Sequence, residues 1–473
     1  MADFVLVNPP LSAEARYGKL AVVGNSLPNL GLAYIAAYLR TREIDVSLID
    51  AAALGYDVSH TAREIAAQNP LVVGLTATTM SIHLAAQVAA KVKQLVPDCI
   101  TLIGGPHVTS QPEQTLDTYR SLDFAVLGEG EATALEAFAE VENEGDVAAV
   151  KGVAYRDGGD VRRGKPRPLF RDLDELPLPA WDLFPDLPRR YRPSPQSTYR
   201  LPSTILFTSR GCPYRCTFCD RSVFGRKLRS HSASRVFDMM EHLYRHYSIV
   251  DFAFHDESLF FDEGRLVELC RHIQRSGLPL SFSCQGRVDQ KLTPFAMSEL
   301  AKAGCWQVAF GVESGSDDML RVLGKGVLVE DALAAITTVR RAGISTKAFI
   351  MLGAPGETRE TLAATLSFLL QAPLDDVMMS FYTPFPGAEL TAGIEQKGRL
   401  VGSYEQMSEH EVVFEPDGLT AHELSVFRRR LYRRFYLRTR VIAHYLLRLR
   451  EASGRKILLQ AAWGFVRGFI FGS

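Results

Sequence analysis

The feature that most constrains the fold of this chain is a regular alternation of short β-rich runs with helical stretches. In the first series, which ends near residue 145, helical patterns at 30–40, 82–96 and 131–142 separate the β-rich runs. Such alternation is typical of a doubly wound parallel sheet, whose ligands bind at the carboxyl ends of the strands. The runs are FVLVN (4–8), DVSLID (45–50), LVVGLTAT (71–78), CITLIGG (99–105) and FAVLGEG (124–130).

A second series occupies residues 203–390 and contains six further strand candidates separated by helical stretches. Six such units predict a partial (β/α)6 barrel, whose chemistry should lie at the carboxyl ends of the strands. The same pattern is also compatible with a second open sheet in place of the partial barrel. The strand candidates are 204–208, 250–254, 280–284, 307–311, 346–351 and 377–382.

Two segments lack this alternation and flank the predicted barrel. Residues 146–202 contain nine prolines between 165 and 202. Because proline fixes φ and cannot donate to a strand ladder, we predict that this segment is a connector between the domains 1–145 and 203–390. Residues 391–473 are predicted to form a helical C-terminal region with a basic tail.

The tail differs in charge from the rest of the chain. Residues 424–473 contain twelve basic residues and one acidic residue, so they carry +11 although the whole chain carries -1. Two interpretations stay open: a basic, aromatic helix that contacts an anionic membrane surface, or a helix that packs on the acidic exterior of the barrel. No separate basic domain or recognition motif accompanies the tail, which argues against a nucleic-acid partner.

Hydrophobic residues make up 47% of the chain and charged residues 23%, an ordinary globular composition that excludes a disordered protein. The chain has no stretch of 18 uninterrupted apolar residues, and no basic leader precedes its first strand. We therefore expect no membrane span and no secretion signal, and a cytoplasmic location in which thiols stay reduced.

Three of the seven cysteines lie on one short loop directly after the first predicted barrel strand, in GCPYRCTFCD (211–220). The spacing C-x3-C-x2-C lets the thiolates of Cys212, Cys216 and Cys219 converge on one metal site. A [4Fe–4S] cluster normally takes four cysteines, so three would leave one iron open to bind and activate a small molecule. A structural zinc site is the alternative, but zinc would need a fourth Cys or His.

This loop, with an aromatic residue before its last cysteine, resembles the radical S-adenosylmethionine superfamily. The resemblance implies that the open iron chelates the methionine moiety and that one-electron reduction yields a 5′-deoxyadenosyl radical. It also implies that Phe218 lies against the adenine. Further motifs resemble the family at the predicted strand ends. They are FHDES (254–258), SCQGRVD (283–289), FGVESGS (310–316), MLGAPGET (351–358) and TPFPGAEL (383–390).

Within these motifs we single out five residues for S-adenosylmethionine. Gln285 and Glu313 are polar residues at strand ends, suited to its amino, carboxylate or ribose groups. Arg287 could pair with its carboxylate in a bidentate geometry. Gly353 and Pro355 are expected to shape a tight turn beside the adenosine.

The N-terminal series resembles the cobalamin-binding domain that precedes the barrel in one large branch of this superfamily. The signals are Thr76 and Thr78, followed by the pair Gly104-Gly105, since paired glycines let the backbone approach a bulky nucleotide tail. His107 and Glu129 follow neighbouring strands, and we include them among the cofactor-binding candidates. A plain Rossmann nucleotide domain is disfavoured because no G-x-G-x-x-G opens the first helix.

The resemblance has one departure. The methionine-synthase type of cobalamin domain carries Asp-x-His-x-x-Gly, whose histidine ligates cobalt from below. No Asp-x-His occurs in this chain. We therefore expect no histidine on the lower face of the cobalt.

Together these resemblances imply an oxygen-sensitive radical enzyme with three cofactors, a [4Fe–4S] cluster, S-adenosylmethionine and cobalamin. The predicted activity is methyl transfer to an unactivated carbon. The alternatives are a non-methylating enzyme such as an anaerobic tetrapyrrole ring cyclase and, more remotely, a corrinoid or metal sensor. The expected partners are an external one-electron reductant such as flavodoxin or ferredoxin and a small-molecule substrate. The apolar tail favours a lipid or tetrapyrrole substrate, and peripheral membrane contact stays one of the two interpretations of the tail.

Overall fold

The structure is a computed structural model that describes residues 2–18, 21, 24–191, 193–257 and 259–448. Its first half is built on a seven-stranded sheet with the strand order β2-β1-β3-β4-β5-β6-β7. The first five strands run parallel, in the order that places a ligand crevice between β1 and β3. The strands are β1 (Phe4–Asn8), β2 (Val46–Asp50), β3 (Val72–Thr76), β4 (Ile100–Gly104), β5 (Phe124–Val126), β6 (Val153–Asp157) and β7 (Asp160–Arg163).

Helices cover both faces of this sheet, as the alternation predicted. Side chains of β1 alternate between two apolar cores, with Phe4 and Leu6 in one and Val5 and Val7 in the other. The helices of this half are α1 (Ala13–Tyr17), α2 (Leu30–Arg40), α3 (Ala51–Leu54), α4 (Val58–Ala66), α5 (Ile82–Leu95), α6 (Pro106–Ser110), α7 (Pro112–Thr118) and α8 (Glu131–Glu142). Helices α2 and α8 pack on the first face, and α4 and α5 pack on the second.

The edge of the first sheet differs from the sequence-based boundary at residue 145. Strands β6 and β7 form an antiparallel hairpin that extends the sheet beyond β5. This hairpin falls inside the segment that we predicted as a connector. Its turn, Gly158-Gly159, has positive φ at both glycines, which suits a tight hairpin. The proline-rich part of the connector therefore starts after residue 163.

The second half is a six-stranded, all-parallel sheet that curls into a half-barrel, as predicted. The strands follow one another in chain order, and the first and last strands do not pair with each other. The strands are β8 (Ser203–Leu206), β11 (Asp251–Phe254), β12 (Ser281–Gly286), β13 (Cys305–Glu313), β14 (Ser345–Leu352) and β15 (Asp376–Phe381). A small antiparallel pair, β9 (Ser209–Arg210) with β10 (Arg229–Ser230), follows the first strand.

Amphipathic helices cover the outside of the half-barrel. Helix α9 begins at an N-cap serine, Ser232, and ends at Ser248 in the left-handed conformation. Helix α10 likewise begins at Asp262 and ends at Gly277. The outer helices are α9 (Ala233–Tyr247), α10 (Glu263–Ser276), α11 (Pro294–Lys302), α12 (Asp317–Val322), α13 (Val329–Arg341) and α14 (Arg359–Gln371).

The C-terminal region, over its described residues 391–448, contains other elements beside its helices. Before its helices it contains short 3-10 turns and an antiparallel pair, β16 (Gly398–Leu400) with β17 (Phe414–Pro416). Two helices follow, α15 (Ala421–Tyr436) and α16 (Thr439–Arg448). The apolar end of the tail, residues 456–472, lies outside the described residues. Among the helices that the structure describes, none has the length and apolar character that crossing a bilayer requires.

Helices α15 and α16 pack on the acidic amino-terminal end of β15. The hydroxyls of Tyr436 and Tyr445 donate to the buried carboxylate of Asp376. Arg440 contacts the neighbouring carboxylate of Asp375 at 3.4 Å. Over residues 421–448, the structure thus agrees with the interpretation in which basic helices pack on the barrel.

Candidate active site

The carboxyl edges of the two sheets face a shared cavity of about 590 Å³. The first sheet contributes the loops after β3 and β4. The half-barrel contributes the loop after β9 and the ends of strands β12 to β15. The lining residues that carry chemistry include Thr78, His107, Phe218, Cys219, Gln285, Glu313 and Tyr382.

The three clustered cysteines lie on the loop 211–228, which we call the cysteine loop. It begins and ends at β9 and β10, so its two ends are held together by strand pairing. Cys216 is buried, whereas Cys212 and Cys219 are half-buried. The backbone N–H of Cys212 donates to the carbonyl of Gly225 across the loop. The loop thus presents three thiols, one of them on the shared cavity.

The thiols lie close enough to influence one another. Burial, together with the nearby Glu257, Cys216 and Cys212, raises the pKa of the Cys219 thiol to about 12. No group of three or more His, Cys, Asp or Glu side chains in the described residues is arranged to hold a metal ion. A [4Fe–4S] cluster binds each thiolate at a separate iron, so its ligands need not meet at one point.

Arg287 contacts the cysteine loop directly. Its Nη1 donates to the sulfur of Cys216 at 3.2 Å, and its guanidinium stacks 3.7 Å from the ring centroid of Tyr214. Its Nε and Nη2 form a bidentate pair with Asp289 at 2.9 and 3.0 Å, and Nη2 also donates to the carbonyl of Lys325. We predicted a bidentate contact with the carboxylate of S-adenosylmethionine. In the structure the carboxylate of Asp289 occupies that fork, and the positive charge of Arg287 also lies beside the sulfur of Cys216.

Glu313 ends β13 with a backbone φ of +70°, an uncommon conformation for a residue with a side chain. Its carboxylate pairs with Lys325 at 2.8 Å, and both groups are largely buried. Gly311 makes room for this pair, because a Cβ there would lie 2.6 Å from Oε1 of Glu313. The ammonium of Lys325 also lies 5.9 Å from the ring centroid of Phe218. A charged pair and an aromatic face therefore adjoin each other on the barrel side of the cavity.

The remaining barrel candidates, Gly353 and Pro355, form a tight turn after β14. Gly353 has φ +79°, and a Cβ there would lie 2.8 Å from Leu424 of α15. The turn also holds Glu357, whose carboxylate accepts from the backbone N–H of Gly353. Burial raises the pKa of Glu357 to about 7. The structure thus places this turn against α15, and neither Gly353 nor Pro355 lines the shared cavity.

A second cavity, of about 470 Å³, is enclosed by the first sheet, helices α2 and α8 and the cysteine loop, and we call it the sheet cavity. Its floor is apolar and includes Phe4, Leu6 and Leu102. Gly74 on β3 keeps this floor open, because a Cβ there would lie 2.7 Å from the ring of Phe4. Its rim contains Thr76, Thr78, Gly104 and Gly105. An apolar slot with glycines and hydroxyls at its rim fits the flat nucleotide tail that the resemblance predicts.

Gly105 shows why this rim needs glycine. Its φ is +105°, and a Cβ there would lie 2.6 Å from the carbonyl oxygen of Ala77. Gly104 differs, because a Cβ there would meet only Val126 at an ordinary 3.7 Å. The first glycine of the pair therefore leaves space in the cavity, and the second permits the turn into α6.

His107 lies on the shared cavity and not among the residues that line the sheet cavity, where we had expected the nucleotide tail. Its Nδ1 lies 3.2 Å from the hydroxyl of Thr79, and its ring meets Tyr404 edge to face. Burial lowers the pKa of His107 to about 4, so the imidazole is neutral at pH 7.

Glu129 lines the sheet cavity, but both of its oxygens are already bonded within the protein. Oε1 accepts from Arg210 at 2.9 Å, and Arg229 reaches both oxygens at 2.9 Å. All three side chains are buried. The structure therefore gives Glu129 an ionic role between the two halves of the molecule, where the sequence had suggested direct contact with a cofactor.

A third cavity, of about 440 Å³, lies inside the half-barrel and shares Gln285, Phe349, Met378 and Glu409 with the shared cavity. We call it the barrel cavity. The N-terminal half, the connector and α15 all contribute to its lining. Apart from Gln285, the sequence analysis did not single out its polar residues, although His255 stands in the FHDES motif. They include Asn25, His255, Lys347, Glu409, His410 and Arg428.

Family models match both halves of the chain. The Radical SAM superfamily matches residues 206–369, and the B12 binding domain matches residues 18–138. An uncharacterized methyltransferase from Pyrococcus horikoshii is 32% identical over 443 residues, 93% of this chain and 93% of the relative. The anaerobic magnesium-protoporphyrin IX monomethyl ester cyclase of Rubrivivax gelatinosus is 27% identical over 94% of this chain and 80% of its own.

Among solved structures, the radical S-adenosylmethionine methyltransferase TsrM from Kitasatospora setae, with cobalamin and a [4Fe–4S] cluster bound, superimposes with a TM-score of 0.70. It is 18% identical, and the match covers 92% of this chain and 89% of TsrM. At this identity the likeness concerns the fold.

The fold and the two family models define a cobalamin-dependent radical enzyme. The chain belongs to the branch of the radical S-adenosylmethionine superfamily in which a cobalamin-binding domain precedes the barrel. Its cofactors are a [4Fe–4S] cluster, S-adenosylmethionine and cobalamin, as the resemblance predicted.

Proposed function

We propose that this enzyme transfers a methyl group to an unactivated carbon of a small molecule. The observation that carries the proposal is the shared cavity. The cysteine loop, the threonines after β3 and Glu313, which is paired with Lys325, line a space of about 590 Å³ between the two sheets. When bound there, the cofactors supply an adenosyl radical and a methyl group, and the protein supplies orientation and exclusion of water.

Cys212, Cys216 and Cys219 are the proposed cluster ligands. Arg287 donates to the Cys216 sulfur at 3.2 Å, so its positive charge lies beside this proposed ligand. Because the guanidinium is also held by Asp289, it stays in place whether or not S-adenosylmethionine is present.

For S-adenosylmethionine we propose Phe218, Gln285 and Glu313 as the contacting side chains. Glu313 can accept from an ammonium group beside its contact with Lys325. Gly353 and Pro355 act indirectly, through the turn that they shape. For cobalamin we propose Thr76, Thr78, Gly104 and Gly105, which form the rim of the sheet cavity. His107 instead adjoins the space between the cofactors.

For the substrate we propose the barrel cavity, because it opens onto the shared cavity through four common lining residues. Its polar lining fits a small molecule with hydrogen-bonding groups better than an entirely apolar one. An external one-electron reductant of the flavodoxin or ferredoxin type completes the proposed system. We also propose that the basic tail makes weak contact with an anionic membrane surface.

The stoichiometry of products tests the proposed reaction. A methyl cation donor and a radical source lose different groups, so one S-adenosylmethionine cannot serve as both in one turnover. With the true substrate, 5′-deoxyadenosine and S-adenosylhomocysteine should rise in about equal amounts, and label from a methyl-labelled donor should enter the product. Mass spectrometry of anaerobic reactions measures all three.

The similarity to an anaerobic ring cyclase over 94% of this chain favours a second candidate, radical chemistry without methylation. Such an enzyme would yield 5′-deoxyadenosine with little S-adenosylhomocysteine and an unlabelled product. That result would contradict methyl transfer and leave the cofactor assignments intact.

A further inference from the structure

Four buried charged side chains join the two halves of the molecule directly behind the cysteine loop. Arg210 and Arg229 come from the half-barrel, and Glu129 and Glu131 come from the loop before α8 and from its first turn. Their side chains are 2 to 9% exposed. Two positive and two negative charges balance, and every carboxylate in the group is paired. We call these residues the clamp.

The clamp holds both ends of the cysteine loop. Arg210 is the last residue before the loop, and Arg229 is the first after it. The two residues face each other in the antiparallel pair β9–β10, and both donate to the same carboxylate, Glu129. A guanidinium fork fixes direction as well as distance, so Glu129 sets the orientation of the base of the loop.

The clamp is also a wall of the sheet cavity. Glu129, Glu131 and Arg210 line that cavity together with Phe224 and Gly225 from the far end of the cysteine loop. A third chain segment is tied in by Phe170 of the connector, whose N–H donates to Glu129 and whose carbonyl accepts from Arg229. The aromatic ring of Tyr34 on α2 lies under Arg210, 4.9 Å from the guanidinium.

We propose that Glu129 is a positioning residue that couples the sheet cavity to the cysteine loop, so that cobalamin in the cavity and S-adenosylmethionine at the cluster alter each other's binding. This inference rests on the proposed function, which assigns those two ligands to those two sites. A ligand that presses on the cavity wall moves Glu129 or Arg210, and both bear directly on the base of the loop. Such coupling is reciprocal and is commonly 5- to 150-fold in affinity.

The test measures S-adenosylmethionine binding to cluster-reconstituted enzyme with and without hydroxocobalamin. In the wild type, hydroxocobalamin should change the dissociation constant by about fivefold or more. In Glu129→Gln the ratio of the dissociation constants measured with and without hydroxocobalamin should lie within about twofold of one, while each cofactor still binds alone. The EPR spectrum of the reduced cluster should respond to hydroxocobalamin in the wild type and not in the variant.

Glu136→Gln is the matched control, because Glu136 pairs with Arg167 on the exposed side of the same helix, α8. It should keep the wild-type ratio. Glu129→Gln leaves Arg229 without a carboxylate partner among the described residues and so should lower stability. The double variant Glu129→Gln/Arg229→Gln restores charge balance. It should recover much of the lost stability in thermal unfolding but keep a ratio near one.

Three results with the variants would overturn the inference: an unchanged ratio in Glu129→Gln, an equal loss in Glu136→Gln, or a ratio restored by the double variant. The last would mean that stability alone had carried the effect. A wild-type enzyme that binds both cofactors without coupling would refute the coupling through the clamp but would not contradict the proposed function. A wild-type enzyme that binds no hydroxocobalamin would instead refute the proposed function.

Discussion

The carboxyl edges of the two sheets line one cavity but are built from opposite kinds of residue. The edge of the first sheet presents glycines and threonines to the adjoining sheet cavity, where Gly104 at the rim and Gly74 on the floor leave space. The edge of the half-barrel consists of thiols and buried charges, such as the Cys216–Arg287 contact and the Glu313–Lys325 pair.

The difference follows from what each edge is expected to hold. Cobalamin carries its own metal and ligands, so the protein needs to provide room and shape complementarity. A cluster and S-adenosylmethionine need sulfur ligands and charged partners from the chain itself. The first edge should therefore be sensitive to added volume, and the second to lost functional groups.

The largest expected effect is on the half-barrel edge. Changing Cys212, Cys216 and Cys219 to Ala together removes every predicted ligand of the cluster. Iron should fall from about four per chain to none after anaerobic reconstitution, with loss of the brown colour. Hydroxocobalamin should still bind, because the sheet cavity is lined by other residues. Stoichiometric zinc in the anaerobically purified wild type would contradict the cluster.

The next effect should be confined to the first edge. In Gly104→Leu the new side chain starts from a Cβ with ordinary contacts and extends into the sheet cavity. We expect cobalamin affinity to fall about a hundredfold, equivalent to about 3 kcal/mol, because overfilling a packed site costs about that much. Iron content should not change.

Ala139→Leu adds similar volume on the exposed side of α8 and serves as the control. It should bind hydroxocobalamin like the wild type in a spectroscopic titration. Equal weakening in both variants would show that helix packing, and not the cavity, had been disturbed.

The sequence predicted the fold because both sheets are encoded locally. Each of the six barrel strands coincides with an apolar run within two residues at either end, and the periodicity of a run needs no partner to be recognised. The hairpin β6–β7 was missed, although Asp157-Gly158-Gly159-Asp160 is a turn signal of the usual kind. Its second strand, DVRR, is mostly exposed and lacks the apolar pattern.

The site was predictable only where chemistry lies in one short segment. The cysteine loop meets that condition. Glu129 does not, because its partners Arg210 and Arg229 lie 81 and 100 residues away in the chain. Arg287 was singled out, but its internal partner Asp289 could not be weighed against a ligand until the geometry was known.

A smaller effect is expected on the pH dependence of folding stability, in which Glu357 of the half-barrel and His107 of the first sheet act in opposite directions. Glu357, in the turn after β14, has a pKa of about 7 in the folded protein, whereas the ordinary value of 4.5 applies to the unfolded chain. Its stabilising contribution is full below pH 4.5 and is lost as pH rises through 7. His107 has a pKa of about 4 against 6.5, so its contribution is full above pH 6.5 and is lost as pH falls through 4.

Each shift corresponds to about 3 kcal/mol of unfolding free energy across its window. Glu357→Gln should therefore flatten the decline in stability between pH 4.5 and 7, and His107→Gln should flatten the decline between pH 6.5 and 4. Denaturant unfolding at a series of pH values measures both. Flattening of the same limb by both variants would contradict the assignment.

The smallest expected effect concerns the tail. Here the comparison is between arginines that contact the barrel and the basic residues that follow them in the chain. Arg438 donates to the carbonyl of Leu369, and Arg440 contacts Asp375, so these charges are unavailable to a membrane. Residues 456–473 hold Lys456 and Arg467 among four aromatic residues. Each basic residue near an anionic surface contributes about 1 kcal/mol, which salt screens.

Deleting residues 456–473 should therefore weaken co-sedimentation with phosphatidylserine vesicles about tenfold or more at low salt, and the difference should shrink at 0.5 M salt, where about 4 Å of screening length remains. Vesicles of neutral lipid are the control, because aromatic insertion alone would persist there. If the deletion leaves binding to anionic vesicles unchanged, the tail makes no membrane contact. The basic character of the C-terminal region would then serve only the packing of α15 and α16 on the acidic end of β15.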